Sequence, residues 1–419
     1  MQSTSESRAR TAVQEQALWA EDAIEGFLSG RARRVPLGPQ QSSAWGRGNA
    51  IGLTGGIPDP EYLPLDALRE ALLTVLGREH KPALEYGGAQ GLPQLREHVA
   101  TRVCAQPGVE MTAENVTLTS GSSHSLANIV DTFIDPGDVI IVELPSFSGA
   151  LRTFRSGGAE LVGVPMDDEG IDTEALDKTL TELDSQGRKV KFLYTIQNFH
   201  NPTGITQTLE RRKALIEVAG RHHVLLVDDD PYGQFRFHGD SVPSLLALSG
   251  GEGVLSVGTF SKIIATGLRC AWVMGRQPYI DALVSTRFDG GSTPLIQRTV
   301  AAYIEAGNLE PHVEKMTSVY NEKCETMLRA LDERCATRVT YTRPDGGFFI
   351  WAELPEGGDC MELLKAAQAE GVAVVPGMSY MVKPELGRRN FRLAFSQVPE
   401  DQIFEAIQRL GRALEKSAH

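Results

Sequence analysis

Short apolar runs alternate with helix-length amphipathic stretches between about residue 110 and residue 280. The runs are rich in β-branched residues and read NVTLTS, VIIVEL, LVGVP, VKFLYTI, HVLLVDDD, VLSVGTF and CAWVMG. Between them lie segments such as LERRKALIEVAGRHH, whose apolar positions recur at helical spacing. Buried strands separated by helices are typical of a mostly parallel sheet that is covered by helices on both faces. The pattern therefore predicts an α/β fold.

The pattern changes in the last third of the chain. A helical tract, TPLIQRTVAAYIEAG followed by VEKMTSVYNEKCETMLRALDE, leads to the strand-like runs GGFFIWAEL, GVAVVPG and NFRLAFS and to a final helix, IFEAIQRLGRALEK. We predict a large domain over residues 51–300, built on a sheet of the seven-stranded type. A smaller α+β domain is predicted over residues 301–419.

Residues 1–50 are mostly polar and predict an N-terminal arm, part of which joins the small domain. One helix is expected around TAVQEQALWAEDAIEGFLSG. A basic cluster follows it at Arg31, Arg33 and Arg34. Such a cluster is either a solvated face or a site that holds an acidic side chain of a substrate, and both interpretations stay open.

Composition narrows the classes of partner and the cellular location. The chain has 419 residues and a formal net charge of −13, which argues against nucleic acid or an anionic membrane as partner. No apolar run approaches the roughly 20 residues of a membrane span, and the start MQSTSESRAR lacks the apolar core of a secretory signal. The five cysteines are scattered and form no CxxC pair, which suits reduced thiols. We expect a cytoplasmic protein without a bound metal.

Chemistry-bearing residues follow four of the predicted strands, at the edge where open α/β sheets bind ligands. GSSHSLANIV opens a helix, which makes either a phosphate site or an ordinary helix cap. HNPTG offers the Asn201 amide or forms a plain turn. DDDPYG places three acids together, so a cation is expected nearby, with a divalent metal as one option. GTFSKIIATGLR supplies Lys262 and Arg269.

Taken together, these residue types match the requirements of pyridoxal phosphate. Its aldehyde needs a lysine for a Schiff base, and its pyridine nitrogen needs a carboxylate to stay protonated as an electron sink. Its phosphate needs a helix N-terminus and a cation. The combined set on successive strand ends predicts this cofactor, although no single element does so.

The motifs also resemble those of a known family over nearly the whole chain, from about Leu53 to about Leu414. They are LTGGIPDPEYLP, ALEYGGAQGLPQLRE, TSGSSHSL, DPGDVIIVELPSF, HNPTG, DDDPYG, TFSKIIATGLR and NFRLAFS. The chain is similar to the aminotransferases of the fold-type I pyridoxal-phosphate family, in the branch that includes 2-aminoadipate and aromatic aminotransferases. The resemblance implies an aminotransferase that acts on an L-amino acid and a keto acid.

The resemblance also implies roles for individual residues. Lys262 would form the internal aldimine and shuttle the α-proton through a quinonoid intermediate, while Asp229 would pair with the pyridine N–H. Tyr232 and Asn201 would bind the ring oxygen, although plain turn structure also explains both. Further cofactor contacts are implied for Gly121, Ser122, Phe147, Thr259, Ser261, Arg269 and, across a homodimer interface, Tyr86. Substrate contacts are implied for Arg392, which would bind the α-carboxylate, and for Asn201 and Gly56.

Two of these residues keep a structural alternative, and several neighbouring positions depart from the usual pattern of the branch. Phe147 is either a stacking ring or a core residue, and Arg392 is either the carboxylate anchor or a strand-edge arginine. Departures from the pattern include Ser123, His124, Gln197, His200, Thr266, Cys270, Ala271 and the phenylalanine at position 147. Both histidines are interpreted either as extra acids or bases or as cap and packing residues.

These departures keep a second outcome of the same cofactor chemistry open. The alternative is a specialised enzyme that catalyses elimination or substitution at Cβ or Cγ, for example on a substrate like S-adenosylmethionine, or amino-acid oxidation. A transcription regulator that only senses the cofactor is a third hypothesis. The roughly 50 residues before LTGGIPDP are too short and too acidic for a winged helix-turn-helix, so we expect an enzyme.

Overall fold

A computed structural model describes residues 24–35 and 50–417 of the chain. Its strands are β1 (Ile51–Gly52), β2 (Val116–Thr119), β3 (Val139–Leu144), β4 (Glu160–Asp167), β5 (Gly170–Ile171), β6 (Val190–Thr195), β7 (Leu225–Asp229), β8 (Val254–Thr259), β9 (Ala271–Met274), β10 (Thr340–Tyr341), β11 (Phe349–Glu353), β12 (Val372–Ala373), β13 (Val375–Pro376) and β14 (Asn390–Ala394). The predicted runs and these strands coincide closely, which confirms the α/β fold.

The helices fill the intervals between the strands. They are α1 (Ile24–Phe27), α2 (Gly30–Arg33), α3 (Leu65–Arg78), α4 (His80–Leu84), α5 (Pro93–Val103), α6 (Ser122–Phe133), α7 (Ser148–Gly157), α8 (Thr173–Ser185), α9 (Leu209–Arg221), α10 (Leu245–Leu248), α11 (Phe260–Ile263), α12 (Gln277–Ser285), α13 (Pro294–Glu305), α14 (Leu309–Arg334), α15 (Cys360–Ala369) and α16 (Glu400–Ser417). Short 3₁₀ turns lie at Pro60–Tyr62, Ala113–Asn115, Thr266–Leu268, Gly377–Tyr380 and Pro384–Gly387.

The large sheet has the order β2-β9-β8-β7-β6-β3-β4-β5 within residues 50–417. Strands β8, β7, β6, β3 and β4 pair in parallel, while β9 is antiparallel to both of its neighbours. The eighth strand, β5, has only two residues and forms an antiparallel hairpin with β4. The mostly parallel sheet of seven longer strands is therefore as predicted, with one short strand added at its edge.

Helices cover both faces of this sheet, as the continuous apolar runs require. Along β3, Ile140 and Val142 belong to one buried apolar cluster, and Val139 and Ile141 belong to the other. Successive side chains of a strand point to opposite faces, so each face packs on its own layer of helices. No helix within the described residues is both long and apolar enough to cross a bilayer.

A second, antiparallel sheet with the order β10-β11-β14-β13 forms in the last part of the chain. Nearby, β1 pairs in parallel with β12, and the backbone N–H of Ala394 donates to Leu53 O, so the segment after residue 50 is joined to the C-terminal strands. The run GVAVVPG forms two short strands instead of one because pairing is interrupted at Val374.

Residues 24–35 form a unit of their own with two short helices. The helix predicted around residues 11–30 lies largely outside the described residues. Within them, it is interrupted at Leu28 and Ser29, because the Ser29 hydroxyl accepts a hydrogen bond from the Ala32 N–H and caps α2. The basic residues of α2 and its end are exposed, namely Arg31, Arg33 and Arg34.

Candidate active site

Three strands of the large sheet bring several of the predicted site residues to one edge. Strand β7 ends at Asp229, and β8 ends directly before α11, which carries Lys262. Strand β2 runs in the same direction as these two and leads through Gly121 into α6. The carboxyl ends of parallel strands meet at one edge, where open α/β sheets bind their ligands.

Lys262 lies half-buried at this edge and has a perturbed amino group. Its Nζ donates to the backbone oxygen of Gly56 at 2.8 Å. Burial, together with the positive charges of Arg392 and Arg269, lowers the pKa of Lys262 to about 8, although Asp229 acts in the opposite direction. A larger fraction of this amine is neutral near pH 7 than for an ordinary lysine.

Asp229 is a buried carboxylate with one free oxygen. Its Oδ2 accepts a hydrogen bond from the Tyr194 hydroxyl at 2.8 Å, while Oδ1 has no hydrogen-bond partner. Burial raises the pKa of Asp229 to about 7, against the Tyr194 hydrogen bond and the charge of Lys262. The neighbouring Asp228 also has a free Oδ1. Successive side chains of a strand point to opposite faces, so Asp228 points away from the face of Asp229. The positive charge that acts on Asp228 is that of Arg212.

Arg212 is the cation that the three acids were expected to need. It has no exposed surface, and its charge acts on both Asp228 and Asp230. Its Nη2 donates to Asn198 Oδ1 at 2.7 Å, and Asn198 in turn donates to Asp230. The described residues contain no group of three or more His, Cys, Asp or Glu side chains that could hold a metal ion. An arginine from α9 therefore supplies the positive charge.

The turn before α6 forms a cradle with a positive charge beside it. Gly121 has φ +88°, and a Cβ there would lie 2.2 Å from Arg269 Nη2, so only glycine fits. Arg269 donates to Ser261 Oγ at 3.4 Å and to Ser120 O at 3.4 Å. Ser122 is the first residue of α6. A helix N-terminus next to a guanidinium group is suited to a phosphate.

Thr259 stabilises the turn that carries the lysine. Its hydroxyl accepts from the Ser261 N–H at 3.0 Å and donates to Cys270 O at 3.3 Å. The side chain is therefore engaged within the turn at the start of α11. It contributes to the site by fixing the backbone on either side of Lys262.

Arg392, Asn201 and Tyr232 form a second group of predicted residues. Arg392 is 7% exposed, and its Nη1 donates to Asn201 Oδ1 at 2.9 Å while Nε has no partner. Its guanidinium carbon lies 4.2 Å from the centroid of the Phe349 ring. Tyr232 hydrogen-bonds with the Asn201 side chain, and burial raises the pKa of Tyr232. The charge of Arg392 acts on both Lys262 and Tyr232, which brings the two groups into one site.

Two predicted cofactor residues make no described contact with the others. Phe147 is half-buried directly before α7, and its ring lies against Gly149, where a Cβ would be 2.5 Å away. Tyr86 is 97% exposed and lies near Gly290. The stacking role of Phe147 and the role of Tyr86 across a dimer interface both stay predictions.

The contacts of the two histidines support their interpretation as cap and packing residues. His124 Nδ1 accepts from the Ser120 N–H at 3.1 Å, and Nε2 lies 3.6 Å from Asp289. His200 has no exposed surface, and its Nδ1 lies 2.9 Å from the Thr203 hydroxyl. Its Nε2 is 3.1 Å from Glu143 Oε2.

Sequence reasoning missed several residues that support the site. They are Tyr194 behind Asp229, Phe349 and Tyr380 beside Arg392, and Ser396 beside Gly56. A tyrosine in the buried run VKFLYTI needs a hydrogen-bond partner, which was the available signal for Tyr194. The other three depend on contacts between distant parts of the chain.

The residues present fit pyridoxal phosphate. The free Asp229 Oδ1 provides an acceptor for a ring N–H, and the cradle at Gly121 with Arg269 provides for the phosphate. Lys262 supplies a perturbed amine between them. Fold and site together define the class: an α/β enzyme that uses this cofactor.

Comparisons with known proteins agree with that class. The profile of the family "Aminotransferase class I and II" matches residues 50–410. An aromatic-amino-acid aminotransferase from Thermococcus litoralis is 36% identical over 370 residues, which are 88% of each chain. A 2-aminoadipate transaminase from Thermus thermophilus is 33% identical and covers 88% of this chain and 91% of its own.

The fold comparison gives the same result. A kynurenine aminotransferase from Pyrococcus horikoshii, solved in complex with PMP, superposes with a TM-score of 0.90 at 33% identity. The match covers 94% of this chain and 98% of the other. The chain belongs to the class I and II aminotransferase family. It is a pyridoxal-phosphate-dependent aminotransferase.

Proposed function

We propose that Arg392 binds the α-carboxylate of an L-amino acid substrate and thereby orients its α-hydrogen toward Lys262. The buried guanidinium group supports this assignment most directly. Its Nε has no partner, and its Nη1 is fixed by Asn201 at 2.9 Å. Arginine binds carboxylates through two parallel hydrogen bonds, and a buried, pre-oriented fork loses little entropy on binding.

Lys262 is proposed to move the proton between the α-carbon of the substrate and the cofactor carbon. A general base works best when its pKa is near the working pH, and the pKa of Lys262 is lowered to about 8. Pyridoxal phosphate, when bound, supplies an electron sink for the charge that this proton transfer leaves behind. The Gly56 oxygen orients the free amine.

The remaining predicted residues are proposed to hold the cofactor in place. Asp229 would accept the ring N–H through its free oxygen, and Tyr194 keeps the carboxylate oriented from the other side. The N–H groups at the start of α6 would bind the phosphate together with Arg269 and Ser261. Asn201 and Tyr232 would contact the ring oxygen.

The amino donor is proposed to carry a large side chain, either aromatic or of the 2-aminoadipate type. This proposal rests on the names of the relatives, which include aromatic, 2-aminoadipate and kynurenine aminotransferases. The exposed basic residues at the end of α2 stay a candidate for binding an acidic side chain. The contacts of His124 and His200 give no observation that favours elimination, substitution or oxidation over transamination.

We also propose a cytoplasmic homodimer with separate large and small domains. The near-complete exposure of Tyr86 and Phe288, at 97% and 94%, supports an interface with a second copy. The separate four-stranded sheet supports a division near residue 300. All five cysteines have free thiols, which supports a reducing compartment.

The half-reaction tests the proposed function. The purified holoenzyme is mixed with single amino acids, without a keto acid, and its visible spectrum is followed while the cofactor is identified by mass spectrometry. Stoichiometric pyridoxamine phosphate and the matching keto acid are expected for the true donor. A persistent long-wavelength band with unconverted cofactor would contradict transamination.

Two variants test the residue roles in the same assay. Lys262→Ala is expected to lose the half-reaction, while Lys213→Ala on the exposed face of α9 serves as a matched control without effect. Arg392→Lys is expected to raise the donor KM at least tenfold because the two-pronged contact is lost. An unchanged KM would show that the carboxylate binds elsewhere.

A further inference from the structure

One stretch of backbone connects the proposed base and the proposed carboxylate anchor. The oxygen of Thr54 accepts from Arg392 Nη2 at 2.6 Å. Two residues further on, the oxygen of Gly56 accepts from Lys262 Nζ at 2.8 Å. The positions of both functional side chains therefore depend on how residues 54–57 are held.

Ser396 contacts the two carbonyl groups that flank Gly56. Its Oγ lies 2.8 Å from Ile57 O and 3.3 Å from Gly55 O. A hydroxyl carries one proton, so the shorter contact is the principal hydrogen bond and the longer one shares it. Ser396 has no exposed surface, so water does not compete for these oxygens. The flanking carbonyls face Ser396, and the middle one faces Lys262.

A buried ion pair contacts both Ser396 and the segment that follows residues 54–57. Lys323 Nζ donates to Asp59 Oδ2 and to the backbone oxygen of Ser396, the latter at 3.2 Å. Lys323 is 2% exposed and Asp59 is 5% exposed. Asp59 comes two residues after Ile57, so the Lys323–Asp59 ion pair connects Ser396 to the chain segment that contains Ile57, the acceptor of its hydrogen bond.

Close packing limits sideways movement of the stretch. A Cβ on Gly56 would lie 2.4 Å from the Phe349 ring, and a Cβ on Gly55 would lie 2.1 Å from Gln397 Oε1. The ring and the amide occupy the space that a side chain would need. Because these contacts keep the segment from shifting, the direction of each carbonyl group depends mainly on its hydrogen-bond partner.

We propose that Ser396 is a positioning residue: by holding the carbonyls of Gly55 and Ile57, it directs the Gly56 carbonyl so that it receives the amino group of Lys262 whenever that group is free. The proposal rests on the role of Lys262 as the base. An amine kept in one place reaches the α-hydrogen in the correct geometry more often, and small displacements reduce such rates strongly.

Ser396→Ala in the full-length protein tests this with two readouts. In the cofactor-free protein, the labelling rate of Lys262 by trinitrobenzenesulfonate is measured by peptide mass spectrometry, and it is expected to rise about three- to tenfold because the amine is released. In the holoenzyme, proton abstraction from the donor is expected to slow about tenfold, with a larger isotope effect for the α-deuterated donor.

Control variants separate positioning from a general loss of structure. Ser396→Thr keeps the hydroxyl and is expected to restore both readouts at least in part. Ser146→Ala is a matched control, because Ser146 is also fully buried but its hydroxyl has no hydrogen-bond partner. If Ser396→Ala does not fold, the nearly isosteric Ser396→Cys, with its weak donor, is expected to change both readouts in the same direction.

The outcomes distinguish this proposal from the proposed function. Lys262→Ala that still abstracts the proton would overturn the role of the lysine and this proposal with it. The role of Ser396 alone would be overturned by a different pair of results. Lys262→Ala would be inactive, but Ser396→Ala or Ser396→Cys would give the same labelling rate and isotope effect as Ser146→Ala. Faster labelling and a larger isotope effect, both reversed by threonine, would support it.

Discussion

Two buried carboxylates at the ends of β3 and β7, which lie on either side of β6 in the large sheet, have opposite surroundings. Glu143, at the end of β3, accepts hydrogen bonds from Thr195, Gln207 and the Ile196 N–H at 2.6–3.0 Å and lies 3.1 Å from His200. Asp229, at the end of β7, has one partner and one free oxygen.

The difference distinguishes a polar group that stabilises the fold from one that is available to a ligand. Unpaired buried groups are costly, so an unpaired carboxylate oxygen at the ligand-binding edge of the sheet is suited to a ligand. We expect Glu143 to serve the fold and Asp229 to serve the cofactor. Variants of either carboxylate and of its neighbours test this contrast.

The largest effect is expected for Asp229→Asn. The amide cannot keep the pyridine nitrogen protonated, so the rate of the donor half-reaction should fall by about three orders of magnitude, as for other removed electrostatic or acid–base groups. Stopped-flow spectroscopy of the reconstituted variant measures this.

Asp228→Asn is the matched control for that experiment. Asp228 has the same burial on the same strand but is influenced by Arg212 rather than by Lys262. Its half-reaction should stay within about fivefold of the wild type. Equal losses at both positions would show that the acids act as one cluster and would remove the contrast.

The second largest effect is a loss of stability in a variant of Glu143. Glu143→Ala leaves the buried donors of Thr195, Gln207 and the Ile196 N–H without their acceptor, which should lower the free energy of unfolding by about 3 kcal/mol. Folded protein should keep kcat/KM within about tenfold of the wild type. Chemical denaturation measures the first quantity and steady-state kinetics the second.

An exposed glutamate on the next strand provides the control. Glu160 pairs with Arg188 at the surface, so Glu160→Ala should cost no more than about 1 kcal/mol. If Glu143→Ala kept full stability and lost activity instead, Glu143 would belong with the functional carboxylates.

A third effect concerns the pH dependence of the cofactor-free protein. The pKa of Asp229 is raised to about 7, so the folded state binds this proton more tightly than the unfolded state does. Stability is therefore highest at low pH and falls between about pH 4 and pH 7, after which this contribution is constant.

Asp229→Asn should remove that dependence. Relative to the variant, the wild type should lose about 2–3 kcal/mol of unfolding free energy between pH 5 and pH 8. Urea denaturation of both proteins without cofactor at these two pH values checks it. A pH-independent difference would mean that the carboxyl group titrates at its ordinary pKa.

Much of the fold and the chemistry of the site was predictable from the sequence, because both depend on local patterns. The strands follow from apolar runs, and Lys262 and Asp229 follow from motifs at the ends of those runs. The exceptions are also local: Ser29 acts as a helix cap within a helix-like stretch, and pairing stops at Val374.

The supporting contacts were not predictable, because they join distant parts of the chain. Ser396 lies 341 residues from Gly55, and Lys323 lies 264 residues from Asp59. Hydrophobic periodicity carries no information on which polar groups meet across such separations. The free oxygen of Asp229 and the satisfied oxygens of Glu143 became distinguishable only in three dimensions.

The smallest effect is expected for His200→Gln, which tests the satisfied side of the contrast. Glutamine keeps an acceptor for the Thr203 hydroxyl and a polar N–H group beside Glu143, so the free energy of unfolding should change by less than about 1 kcal/mol and the half-reaction rate by less than about twofold. His200→Ala removes the hydrogen bond with Thr203 and the contact with Glu143, and it should cost about 2 kcal/mol of unfolding free energy. An acid–base role for His200 would instead lower the half-reaction rate of the glutamine variant at least a hundredfold and alter its pH profile. That result would place His200 and Glu143 in the catalytic machinery and reopen elimination or oxidation chemistry at this site.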